Sequence, residues 1–479
     1  MRAFPIIVMA GALWAAPLAA GAQTLREWPR CINAHADHTL AEQITSCTAI
    51  ISTAAVSPSD VAVAYLNRSA AHLAGGDSAR AILDATEAIE RNPNMAAAYG
   101  NRSAAYMQLR DYARTIADAS EAIRLDASFA NAYTNRSAAY LMRGDTERAI
   151  ADASEAIRLN PRAALAFANR ASARVRQRQF ADAAADASEA IRLNPRMAMA
   201  YNNRGAAYQG LADYARALAD YGEALRLDPR NADALGNRGV MHFNRGDYDG
   251  AVADLDAALA VRANAANLIT RGRAHEARGR FDLAAADFSE ALRLEPGRAE
   301  AHLYRGGVLL TQQRYAPALA DLSEAIRLGA QDARVFSMRG AARVGLADYA
   351  GAILDFDEAL QRAPQDADAL IERCGARAAL GRELDRALAD CDAAIALRRD
   401  ASALNARALV HFKRGAMELA LADYNASLRA DPNMAGSLFG RGVVRLRLGQ
   451  RAEGRQDIAD AVAREPGVEA RYARVGMRR

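Results

Sequence analysis

An arginine recurs through most of this 479-residue chain at Arg68, Arg102, Arg136, Arg170, Arg204, Arg238, Arg271, Arg305, Arg339, Arg373, Arg407 and Arg441. Ten of the eleven intervals are 34 residues, and Arg238 to Arg271 is 33. A fixed period of this length implies stacked supersecondary units, none of which can bury its apolar face alone. The usual prior of roughly 150 residues per globular domain therefore does not apply. Such an array has no central catalytic crevice and offers a long surface to a partner.

Positions are numbered from 1 within units that start at 62, 96, 130, 164, 198, 232, 265, 299, 333, 367, 401 and 435. Position 4 is aromatic (Tyr65, Tyr99, Tyr133, Phe167, Tyr201), position 8 is small (Ser69, Ser103, Ser137, Ala171, Gly205) and position 11 is often Tyr (Tyr106, Tyr140, Tyr208). The spacing 4, 8, 11 is one face of a helix. Position 16 is frequently Asp (Asp111, Asp145, Asp213, Asp247, Asp348), suited to cap a second helix. An aromatic follows at 17, alanine sits at 27 and allows close helix approach, and proline at 32 stops the helix. Each unit is thus a helix–turn–helix.

This pattern resembles the tetratricopeptide repeat family, on the aromatic at 4, the small residue at 8, Tyr at 11, Asp-Tyr at 16–17, Ala at 27 and Pro at 32. The resemblance covers residues 62–468. It implies an all-α fold: a right-handed superhelical solenoid of about twelve 34-residue repeats whose first helices line a concave groove. It also implies binding, scaffolding or chaperone work rather than catalysis. Residues 232–264 are one short and lack the terminal proline, and residues 367–400 shift by one between the helices, so local irregularity is expected at both.

Two side-chain ladders run through the repeats. The family usually has leucine at position 7; here every unit has arginine. Every unit also carries an aspartate in its second helix, from Asp84, Asp118, Asp152 and Asp186 through to Asp457. The charges cancel one for one, which favours a structural ladder of pairs such as Arg102 with Asp118, Arg136 with Asp152 and Arg170 with Asp186. The planar fork of arginine suits a carboxylate. The alternative is an arginine spine for a polyanion. Whether each arginine pairs within its unit or with a neighbour is left open by the sequence.

The second ladder is asparagine at position 6: Asn67, Asn101, Asn135, Asn169, Asn203 and Asn237, ending thereafter (Thr270, Tyr304, Met338, Glu372, Ala406, Gly440). In the family, position 6 faces the groove. An amide offers two donors and an acceptor, so a row of them can hold a peptide backbone without reading its sequence. The row resembles the asparagine ladder in the tetratricopeptide superhelix of O-linked N-acetylglucosamine transferase; only the ladder carries over. The other reading is that these amides are solvated or bond neighbouring helices. Around them, positions 5, 9, 12 and 13 of the first six units are small, apolar or amide residues, with Arg176 the one charge. The lysines of a carboxylate clamp are missing, so an extended, uncharged stretch of polypeptide is the expected ligand.

The termini differ from the repeats. Arg2, an apolar stretch from Ala3 to Ala20 and Ala20-Gly21-Ala22 read as a cleaved export signal over 1–22, followed by a helical cap over 23–61 and, past the repeats, a capping tail over 469–479. A membrane anchor is the alternative, but Pro5 and Pro17 interrupt the stretch and a span needs about 20 apolar residues. Export places the protein in the periplasm or outside the cell, where disulfides form. Four cysteines allow three connectivities. Cys31–Cys47 with Cys374–Cys391 closes the shortest loops. Two buried thiols at Cys374 and Cys391 remain an alternative, and Cys31, His35, His38 and Cys47 could be drawn as a metal site, although their spacing matches no standard zinc pattern.

Net charge is +4, too small to argue for nucleic acid. No GxSxG elbow and no phosphate loop occurs. The expectation is a non-catalytic scaffold or adaptor of the cell envelope, without cofactor or metal, that binds a protein or peptide in the groove of repeats 1–6. A holdase-like chaperone for unfolded exported chains is the alternative.

Overall fold

In the computed structural model, residues 22–33, 37–54 and 56–479 are described. The expected signal segment lies outside them but for Ala22, as does His35. Among the described residues there are 27 helices and no strand, and none of the helices is long and apolar enough to cross a membrane. The chain divides into two compact units, residues 1–241 and 242–479.

Within each unit the helices follow the 34-residue beat. In repeat 2 the first helix is Ala96–Gln108 and the second Tyr112–Leu125; in repeat 9 they are Ala333–Gly345 and Tyr349–Arg362. The second helix starts where position 16 provides a cap: Asp111 accepts from the Arg114 amide at 3.1 Å and Asp348 from the Gly351 amide at 3.0 Å. Asp77, Asp145, Asp213 and Asp247 do the same. The turn before it fixes position 15 in the left-handed region in all twelve repeats. Seven of these residues are glycine, which adopts that conformation freely. Arg110, Arg178, Ala212, Gln313 and Ala347 adopt it at φ 57–62°.

Alanines such as Ala122, Ala156, Ala190, Ala291 and Ala359 at position 27 are fully buried, as are Ala98, Ala132, Ala166 and Ala200 at position 3. A second size rule governs positions 8 and 24. In repeats 1–4, where position 8 is Ser or Ala, position 24 is Ala (Ala85, Ala119, Ala153, Ala187), whereas repeat 11 sets Tyr424 beside Ala408. Where it is Gly, position 24 is large, and a Cβ on the glycine would lie 2.8 Å from the Tyr221 ring at Gly205 and 2.7 Å from Phe288 and Phe356 at Gly272 and Gly340. In repeat 10 the same pair is Cys374 and Cys391, bonded as a disulfide with Cα atoms 5.7 Å apart.

The expected irregularities are local. Repeat 7 opens without a preceding proline and uses Asn264 as cap, accepting from the Asn267 amide at 3.1 Å. In repeat 10 the first helix runs one residue longer, to Leu380, and Gly381 and Glu383 both have left-handed φ. Ahead of the repeats, helices Ala22–Ile32 and Leu40–Ile51 are joined by the disulfide Cys31–Cys47, Cα atoms 4.7 Å apart. Thr39 and Glu42 form a capping box on the second of these.

Candidate functional site

The arginine ladder is built from position 7, one turn beyond the aromatic at position 4. Arg102 donates from Nε and Nη2 to both carboxylate oxygens of Asp118 at 2.8 and 2.9 Å. Arg136 holds Asp152 at 2.7 and 2.9 Å, Arg170 holds Asp186 at 2.8 and 2.7 Å, and Arg68 holds Asp84 at 2.8 and 2.7 Å. The second unit repeats this from Arg271–Asp287 to Arg441–Asp457. Arginines of both units therefore join the two helices of their own repeats, and the extra residue in repeat 10 is absorbed because Arg373 reaches Asp390 instead of the residue before it. The aspartates are buried, and in repeats 1–5 and 9 the arginine lies against its position-4 ring, 5.5 Å for Arg102 over Tyr99 and 5.6 Å for Arg136 over Tyr133. Bonding to the carboxylate holds Arg102, Arg136 and Arg204 above their usual range against the opposing effect of burial.

The remaining guanidinium nitrogen does a second job. Nη1 of Arg102 donates to Thr86 at 3.1 Å, of Arg136 to Ser120 at 2.9 Å, of Arg170 to Ser154 at 3.1 Å and of Arg305 to Ser289 at 3.1 Å. Arg271, Arg373 and Arg407 use Asp256, Asp357 and Asp392, and Arg441 uses Asn425. These acceptors stand at position 25 of the preceding repeat, except Asp392, which stands one further on because of the extra residue in repeat 10. The ladder thus ties repeat to repeat as well as helix to helix. The signal was present in the sequence as a polar acceptor at position 25, but it carries meaning only once the third donor is placed.

The asparagine row lies in the first unit. Nδ2 of Asn101 donates to the Leu66 carbonyl at 3.3 Å, of Asn169 to Thr134 at 3.2 Å and of Asn203 to Ala168 at 2.9 Å. Asn135 donates to Ser103 Oγ at 2.9 Å and more weakly to the Gly100 carbonyl at 3.4 Å, and Asn237 to Asn202 Oδ1 at 3.1 Å. Asn67, with no repeat before it, turns back to the Val63 carbonyl at 3.0 Å. From the second repeat on, one donor of each amide therefore ties its helix to the first helix of the preceding repeat, predominantly at position 5. Asn67, Asn101, Asn169 and Asn203 are buried, Asn135 and Asn237 half-buried. Position 9 on the same helices is half-buried at Ala138, Ser172 and Ala206 and buried at Ala70 and Ala104.

Both cysteine pairs are buried disulfides. With Cys31 and Cys47 bonded to each other, neither offers a thiolate to a metal, and no group of three or more His, Cys, Asp or Glu side chains is placed to hold one among the described residues.

The sequence matches the tetratricopeptide repeat family over residues 66–128, 168–209, 205–267, 269–333 and 376–435, more than half of the chain. No curated protein matches. Among solved structures, the Cut9–Hcn1 hetero-tetramer of APC/C is similar over 95% of this chain and 96% of that one, at 13% identity and a TM-score of 0.43. The pilF protein of Pseudomonas aeruginosa is similar over 44% of this chain and 97% of its own, at 20% identity and a TM-score of 0.39. A tetratricopeptide repeat protein from Parabacteroides merdae is similar over 51% of this chain and 97% of its own, at 20% identity and a TM-score of 0.36. With its helical pairs, its caps and its recurring positions, the chain belongs to the tetratricopeptide repeat family.

Proposed function

We propose that this chain is an exported, non-catalytic scaffold that holds an extended stretch of a partner polypeptide along the first-helix face of repeats 1–6. The observation that carries the reading is the row of amides at position 6 in consecutive repeats, in register with one another. One donor of each is fixed to a neighbouring group, which sets the plane of the amide. In this reading the ligand approaches the second edge of the amides beside the small side chains of position 9, with the half-buried Asn135 and Asn237 the most open of the row. The anchoring also means that Asn-to-Ala changes act on stability as well as on binding. Two buried disulfides support an oxidising compartment.

The test is a pull-down from envelope extract with three forms of the mature chain: unaltered, Ser172→Arg/Ala206→Arg, and Asn101→Ala/Asn135→Ala/Asn169→Ala/Asn203→Ala. The arginine variant fills the face without touching an anchored amide. Loss of the same partners from both variants, with helical circular dichroism intact in the first, supports the reading. Retention of all partners by the arginine variant refutes it. One defined complex among the lost partners points to an adaptor; many unfolded clients point to a holdase.

A further inference from the structure

The C-terminal helix Val468–Arg474 does more than end the array. Tyr472 Oη donates to Asn405 Oδ1 at 3.0 Å, and Asn405 stands at position 5 of the first helix two helical pairs back, in repeat 11. The Tyr472 ring packs on Phe439, position 5 of repeat 12, with centroids 5.3 Å apart. It lies over Gly436, where an added Cβ would sit 2.7 Å from the hydroxyl. Val468 and Met477 are fully buried in the same cluster as Leu409, Phe412 and Phe439. The segment from 468 to 477 thus packs on positions 2 and 5 of the first helix of repeat 12 and reaches position 5 of the first helix of repeat 11.

The fit leaves a polar group unmet. Tyr424, at position 24 of repeat 11, is fully buried, its hydroxyl lies over Gly440, and that hydroxyl has no hydrogen-bond partner. Burying a hydroxyl without a partner is unfavourable. A segment bringing an acceptor to Tyr424, while keeping a tyrosine for Asn405, would satisfy this face better than residues 468–477 do.

We propose that the first-helix face of repeats 11 and 12 is an interaction surface for a partner segment that presents a tyrosine to Asn405, and that the chain's own residues 468–477 occupy it in cis until displaced. The surface is independent of the reading for repeats 1–6. A tethered segment competes at an effective concentration of about millimolar, so the intact chain resists weak partners.

The experiment uses the full chain and a fluorescein-labelled peptide of residues 468–479, with binding followed by anisotropy. Tyr472→Ala vacates the tyrosine site. The peptide is expected to bind this variant at least ten-fold more tightly than the intact chain. Adding Asn405→Ala, or replacing the tyrosine of the peptide by alanine, is expected to reverse the gain. Should Tyr472→Ala lose the helical signal of the last repeat, Tyr472→Phe serves instead, since it removes the donor to Asn405 and keeps the ring on Phe439. Equal binding to intact and altered chains, no binding to either, or a gain that ignores Asn405 overturns the proposal.

Discussion

Arginine at position 7 is the residue on which this array depends. Removing one side of a buried ion pair leaves the other charge without its partner, at a cost of about 3–5 kcal/mol. Arg136→Ala is expected near the lower end of that range, because the arginine side chain keeps 19% of its exposure. Arg136→Lys, which keeps the charge but not the fork, should lose much of the same stability in urea denaturation; a lysine variant as stable as the parent would contradict the bidentate account. Position 11 adds a pH dependence. His72, His275 and His411 each lie within 3.6–3.9 Å of the ladder aspartate of their repeat. Burial depresses their pKa below the ordinary histidine value, neighbouring arginines add to this, and the aspartates only partly oppose it. A depressed pKa means that the unfolded chain takes up more protons below about pH 6.5, so the stability present above that pH is lost as pH falls. The urea midpoint should drop between pH 7 and pH 5, and His72→Gln/His275→Gln/His411→Gln should flatten the slope. The pairing was legible from two matched ladders, but its partner was not. Sequence spacing cannot tell a bond within a repeat from one between repeats, and arginines such as Arg102, Arg136 and Arg170 make both.

At the scale of the helical pair, size complementarity at positions 8 and 24 does the packing. Gly340→Ala sets a methyl 2.7 Å from the Phe356 ring, and overpacking of this kind costs about 1–3 kcal/mol. The double change Gly340→Ala/Phe356→Ala reproduces the pair found in repeat 4 and should recover part of that loss, read as a rise in melting temperature over the single variant. The disulfide Cys374–Cys391 replaces this same contact with a covalent one. Opening it through Cys374→Ala/Cys391→Ala should cost about 3 kcal/mol for a loop of this length, measured as a shift in urea midpoint under non-reducing conditions that keep Cys31–Cys47 intact. The helices, their aspartate caps and their proline stops were readable from local chemistry. The compensation at 8 and 24 was half-readable, since the small residue shows by itself and its large partner shows only when the two helices are laid side by side. The left-handed position 15 was obscured because five of its twelve occupants are not glycine.

For the whole molecule, the period of 34 residues identified the fold, and both ladders hold the array together. Asn101, Asn135, Asn169 and Asn203 tie helix to helix and, in the proposed reading, also meet the partner; the sequence could not reveal this, because facing a groove and bonding the next helix look alike in a 34-residue pattern. The reach of Tyr472 to Asn405 was equally hidden, because 67 residues separate them and the tail reads as a simple cap. The measurement that tests the central claim most directly is site-specific photo-crosslinking in cells. A benzoylphenylalanine is placed at Ala138, Ser172 or Ala206 on the first-helix face, or at Leu83, exposed on a second helix. The account predicts crosslinks to a shared partner polypeptide from the first three positions and none from Leu83. Crosslinks from Leu83 alone, with the first-helix positions silent, would contradict it.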